Sequence, residues 1–165
     1  PYLTDVFGLT TQQVGQATLA MGIAMIAGTL AYGPLDRIFG TRKGVALVGN
    51  AVCAAAMLVL AALIEAGPLA AVALMALAGA AGASYPLVIA HGRAFFPPHL
   101  AGRGVTLMNL FAMGGVGLMQ FLSGRLHTAT AGGDPTLPYQ MIFLFFGLSL
   151  AAGIAIYAFA RDNMN

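Results

Sequence analysis

A chain of 165 residues that is 59% apolar and 7% charged cannot clothe a water-soluble globule, because soluble domains run about 45 to 50% apolar and about 25% charged. Seven basic and five acidic residues leave a net charge of +2, and a mean hydropathy of +0.87 offers no other polar surface. The solvent is therefore lipid, and nucleic acid is excluded as a partner by the lack of a basic stripe with interleaved aromatics.

A membrane-spanning helix needs about 20 mostly apolar residues. Five charge-free intervals meet that need: Val6 to Leu35, Gly44 to Ile64, Ala66 to Gly92, Gly104 to Gly124 and Pro135 to Ala160. They are too long and unbroken for barrel strands, which alternate over about ten residues. The expected fold is an all-α polytopic membrane protein with five transmembrane helices, at about residues 12–32, 44–64, 69–90, 104–124 and 139–160.

In chain order, Pro1 stands where an initiator Met would be and no basic leader precedes the first apolar run, so the chain reads as truncated upstream. A turn-like Phe7-Gly8-Leu9-Thr10 leads into a first span starting near Thr11 or Val14, which Gly33-Pro34 is expected to break. The second span stops at Glu65-Ala66-Gly67-Pro68, a tight hairpin. The third, rich in Ala, Gly, Leu and Val, runs into a Pro-Pro-centred loop from His91 to Arg103. Span four closes at Ser123-Gly124-Arg125, and Leu126 to Pro138 reads as a polar loop. The last span ends in the short tail Arg161 to Asn165.

Basic loops are retained in the cytoplasm. With the first loop inside, Arg37, Arg42, Lys43, Arg93, Arg103 and Arg161 fall inside and only Arg125 outside. The amino end is then external and the carboxyl end cytoplasmic, and the expected location is the inner (plasma) membrane of a bacterium. Tyr2, Tyr32, Tyr139 and Phe95-Phe96 sit near span edges, where amphipathic rings favour headgroups.

The most specific segment is Gly33-Pro34-Leu35-Asp36-Arg37-Ile38-Phe39-Gly40-Thr41-Arg42-Lys43-Gly44. Such a hairpin needs glycines for the turn, an acid that can face a helix amino terminus, and cations to hold the acid and meet anionic headgroups. It resembles the Gly-x-Leu-x-Asp-Arg-x-Gly-Arg-Lys/Arg loop of the major facilitator superfamily. Gly33, Leu35, Asp36, Arg37, Arg42 and Lys43 match at their places, while Gly40 and Thr41 shift the second half by one.

That resemblance implies a partial version of a twelve-helix fold built from two six-helix halves, in which this loop follows helix 2 and recurs after helix 8. Four spans follow the loop, a Phe-Pro-Pro-x-x-x-Gly-Arg segment precedes the fourth, and Tyr139-Gln140-x-x-Phe143 opens the last, so the spans resemble helices 8 to 12. The function implied is secondary transport of a small solute by alternating access. Gly33, Asp36, Arg37, Gly40, Arg42 and Lys43 would form a cytoplasmic gating loop. Asp36 would dock on the amino-terminal half, absent from this chain, and residues Arg103 to Thr106 would receive that half's own loop. The implied partners are membrane lipid, that other half and an unidentified small-molecule substrate.

In the family, helices 10 and 11 line the cavity, helix 8 flanks it, and helices 9 and 12 face lipid. Asn109 and Gln120, eleven positions apart, return to nearly the same face of one helix. They fit a cavity wall and equally fit interhelical hydrogen-bond glue. Tyr85 adjoins Pro86, whose missing N–H either kinks a gating helix or adjusts packing beside Gly79 to Gly82. Gln16, Thr18 and Thr29 could face the cavity or, for the hydroxyls, bond back to their own helix.

Gly22, Gly28, Gly114, Gly115 and Gly117 read as close-contact positions between helices. The lone Cys53 rules out a disulfide framework and a multi-Cys metal site, nine scattered methionines make no copper series, and no cofactor motif is present. His91 and His99 flank the inner loop with no acid close in sequence. No charge lies mid-span, where a proton-coupled carrier usually keeps one. An enzyme finds no catalytic cluster. The alternative to transport is a permease-derived subunit packed against another membrane complex.

Overall fold

The computed structural model describes residues 1–162, among which there is no strand. It contains five helical stretches long and apolar enough to cross a membrane, which with the composition makes this an integral membrane protein. Asn163, Met164 and Asn165, the end of the expected tail, lie outside the described residues.

The chain opens with a short helix not expected from the sequence, α1 (Tyr2–Phe7), which stops at Gly8 in the left-handed conformation. Thr10 then caps α2 (Thr11–Phe39) in a reciprocal capping box with Gln13, so two backbone donors at the helix start are satisfied by side chains. The expected break at Gly33-Pro34 is absent. Proline removes one backbone hydrogen bond, but its φ suits a helix, and α2 continues until Gly40 takes up φ 63°. The charged hairpin therefore turns on Gly40 and Thr41 alone, and most of its residues are helical.

Helix α3 (Arg42–Ala62) follows, then α4 (Pro68–Gly82), which begins with Pro68 in its first turn. The third span is split. Pro86 cannot donate to the carbonyl four residues back, and the helix ends at Gly82 and restarts as α5 (Tyr85–Arg93) with Pro86 in the first turn, a place that tolerates it. The expected kink is thus a break at Ala83 and Ser84. A single 3-10 turn (Pro98–Leu100) leads into α6 (Ala101–Thr130), which runs beyond its expected end. Ser123, Thr128 and Thr130 turn their hydroxyls back onto carbonyls of the same helix, so polar residues that read as loop stay helical. Helix α7 is Leu137–Tyr157.

The best-buried helix is α3, which packs against α7 and α4 and also touches α5. Its Ala46 and Leu60 are fully buried. Small residues permit this closeness: a Cβ at Gly147 of α7 would come within 2.7 Å of Leu58, and one at Gly28 of α2 would collide with the backbone of Ala80 in α4. By contrast Gly22, Gly114, Gly115 and Gly117 have open space around them, so the contact role expected of them is not met within this chain. Helix α6 packs mainly on α7, α5 and the 3-10 turn, and leaves Leu110 and Phe111 exposed.

The tyrosines expected near the span edges are buried against neighbouring helices. Tyr2 donates to Ile64 O at 2.6 Å and stacks with Phe7, Tyr139 and Phe143, while Tyr139 donates to the Asp5 carboxylate. Tyr32 donates to Ala81 O beside the helix break. The Tyr2 and Tyr32 hydroxyls each satisfy a backbone carbonyl near a helix end, and Tyr139 ties α7 to α1 through Asp5.

Gly28→Ala is expected to lower stability by about 1–3 kcal/mol through overpacking against α4, whereas Gly22→Ala leaves it unchanged. Thermal unfolding in detergent reads both.

Candidate functional site

The charged hairpin is built by two caps. Gly40 closes α2 in the left-handed region, and Thr41 caps α3, its hydroxyl accepting from Gly44 N at 2.9 Å. Arg42 Nε donates to Asp36 Oδ2 at 3.3 Å across the turn. No hydrogen-bond donor among the described residues reaches the buried second oxygen of Asp36. Arg37 is exposed, and its guanidinium makes no hydrogen bond or ion pair among the described residues. Gly33 lies in α2 with open space around it.

The acid that faces a helix amino terminus within this chain is Asp162, which sequence reading overlooked. Its carboxylate accepts from the Thr41 hydroxyl and from Lys43 N at 3.3 Å, so the chain after α7 is tied to the first turn of α3. Lys43 Nζ reaches Ala158 O at 2.7 Å and adds a second tie. His91, 2% exposed, completes the strap: its Nε2 lies 2.9 Å from Arg161 O and its Nδ1 2.6 Å from the Tyr157 hydroxyl. Since a carbonyl only accepts, Nε2 carries a proton toward Arg161, while Nδ1 and the Tyr157 hydroxyl share the second hydrogen bond. Asp162 Oδ1 is 3.9 Å from the same ring, so the histidine that appeared to lack an acid has one.

The hydrogen bond from Thr41 holds the Asp162 carboxyl below its ordinary range, helped by Lys43 N–H and the Lys43 ammonium, against a smaller opposing effect of burial. At the opposite end of the bundle, Thr136 N–H and hydroxyl do the same for Asp134.

Of the three cavity candidates, the structure joins two. Tyr85, at the start of α5 and 44% exposed, donates to Asn109 Oδ1 of α6, which is also exposed. Gln120 lies about 16 Å further along α6. It lines a separate recess with Asp5, Ser123, His127 and Tyr139. Thr18 and Thr29 bond back to Val14 O and Met25 O, so neither hydroxyl faces a cavity with a free donor. A buried pair missed in the sequence sits behind Tyr85: Asn50 Nδ2 donates to Ser84 Oγ and to Ala46 O, both at 2.8 Å. Among the described residues no three His, Cys, Asp or Glu side chains converge as a metal site would require.

A carboxyl whose folded pKa is depressed contributes stability at neutral pH and loses it as pH falls through that lowered value. The stability gap between the wild type and Asp162→Asn is accordingly expected to be full at pH 7 and to close below about pH 4. Thermal unfolding across that range measures it.

No curated protein and no solved structure matches the chain. The family model described as Major Facilitator Superfamily matches residues 1–164, nearly its whole length. With five apolar helices joined by a charged Asp-Arg turn, the chain belongs to the major facilitator superfamily, a family of membrane transporters.

Proposed function

We propose that these five spans are helices 8 to 12 of a secondary carrier that moves a small solute by alternating access, with the Gly33 to Lys43 turn as its cytoplasmic gate. The observation that carries the gate is Asp36: one oxygen is held by Arg42 and the other is buried without a donor. A buried unsatisfied carboxylate oxygen is costly. A helix amino terminus from the other half of such a carrier supplies the N–H groups that oxygen needs when the inner side closes. Exposed apolar faces on α2 and α6, and glycines on both with open space around them, support an assembly that continues beyond these helices.

The ends of α2, α5 and α7 and the starts of α3 and α6 gather the arginines and Lys43, all but Arg125, and the positive-inside rule assigns that end to the cytoplasm. Tyr85 and Asn109 are the solute wall we favour, because the α4–α5 break beside them gives that wall a hinge. Ionised groups are absent from the middles of the spans, so any coupling carboxylate belongs to other helices of the carrier.

Asp36→Asn in the complete gene product tests the gate. A charge at a helix terminus is worth about 0.3–2 kcal/mol, so uptake should fall several-fold with normal membrane insertion. Unchanged uptake removes the gating role. A cysteine replacing Arg37 should react with an impermeant maleimide only from the cytoplasmic side, and labelling from outside would reverse the topology.

A further inference from the structure

A half-open recess at the basic end lies apart from Tyr85 and Asn109. It offers about 750 Å³ between the start of α3, the length of α5, the turn after it and the start of α6. Arg42 and Arg93 line it, with Pro86, Ile89, Phe96 and Val105 among its apolar walls. No Asp or Glu contributes to the lining.

Neither guanidinium is used up. Arg42 spends only its Nε on Asp36, and its two terminal NH2 groups make no hydrogen bond among the described residues. Arg93 is exposed, and its guanidinium has neither a hydrogen bond nor an ion pair there. Asp36 balances the charge of Arg42, so Arg93 brings an uncompensated cation to this space while Arg42 offers its free NH2 groups. An uncompensated cation beside free N–H donors favours a negative ligand, and the planar N–H fork of arginine matches the oxygens of phosphate or carboxylate. Apolar walls beside the two forks favour a ligand with a hydrocarbon flank.

We propose that this cavity binds an oxyanion of the phosphate class, held between Arg42 and Arg93 and so linking α3 to α5. Two sources share that chemistry: free phosphate from the aqueous phase, and the headgroup of an anionic lipid whose chains lie along the apolar walls. The inference does not depend on the gate, because binding is measured without transport.

The purified chain in phosphate-free, uncharged detergent is titrated with inorganic phosphate by calorimetry. In parallel it is placed in phosphatidylcholine nanodiscs with and without phosphatidylglycerol, and retained lipid is counted by native mass spectrometry. Saturable binding in either arm is expected, weakened about tenfold by Arg93→Gln, the loss typical of one charge-assisted hydrogen bond. Arg93 has no partner to leave stranded, so this variant keeps the fold; Arg42→Gln should weaken binding similarly. Arg161→Gln removes an exposed charge from the same end outside the cavity, and binding should survive it. Phosphate binding identifies the free anion as ligand, and phosphatidylglycerol retention without phosphate binding identifies the lipid. No saturable binding in both arms, or equal weakening by Arg93→Gln and Arg161→Gln, overturns the proposal.

Discussion

The interruption between α4 and α5 is held by two side chains from other helices, Tyr32, which takes a carbonyl beside it, and Asn50, which fixes the Ser84 hydroxyl within it. Backbone groups released inside hydrocarbon find no water, and each left unpaired costs several kcal/mol. Tyr32 O–H takes the carbonyl of Ala81, and Asn50 takes the Ser84 hydroxyl. Both side chains must arrive at the right depth, which constrains how α2 and α3 lie on α4. Gly49 sits directly under the Tyr32 hydroxyl, where any side chain would collide with it, and Gly28 lets α2 settle onto Ala80. Small residues and two polar side chains together thus hold the register of three spans, with the broken helix as the element they serve.

At the basic end the same economy appears in ionic form. Thr41 both caps α3 and donates to Asp162, and Lys43 contributes its backbone N–H to Asp162 and its ammonium to Ala158 O. His91 closes the strap from α5. The end of α7, the start of α3 and the end of α5 therefore form one polar junction, and Asp36 with its unpaired oxygen lies beside it on the Arg42 fork. An element that moved any one of these helices would carry the others with it.

The five spans were legible because an ionised side chain is expensive in hydrocarbon, so charge-free intervals of sufficient length mark them directly. Their ends were not. Pro34 looks like a helix breaker, yet its φ suits a helix, and Ser123, Thr128 and Thr130 turn their hydroxyls onto carbonyls of their own helix, so both helices continue past their expected ends. Asp36 and the cations around it were readable as one charged hairpin, but the choice of Arg42 as its partner was not. The Thr41–Asp162 bond joins residues 121 positions apart, and neither spacing nor composition carries any trace of it. Thr41 alone could have been noticed, as a hydroxyl residue placed just before a helix. The Tyr85–Asn109 contact needed the break ahead of Tyr85, while Gln120 shares a face with Asn109 but not a depth, a distinction periodicity cannot make.

Every ionised side chain of the described helices lies near the end of a span. The transmembrane potential acts on charge displaced across it, at about 2.3 kcal/mol per unit charge per 100 mV. Tilting this bundle as a unit slides its charges along the two interfaces and carries none through the field. Such a tilt moves no gating charge, so the transmembrane potential gives these helices no preference for one tilt over another.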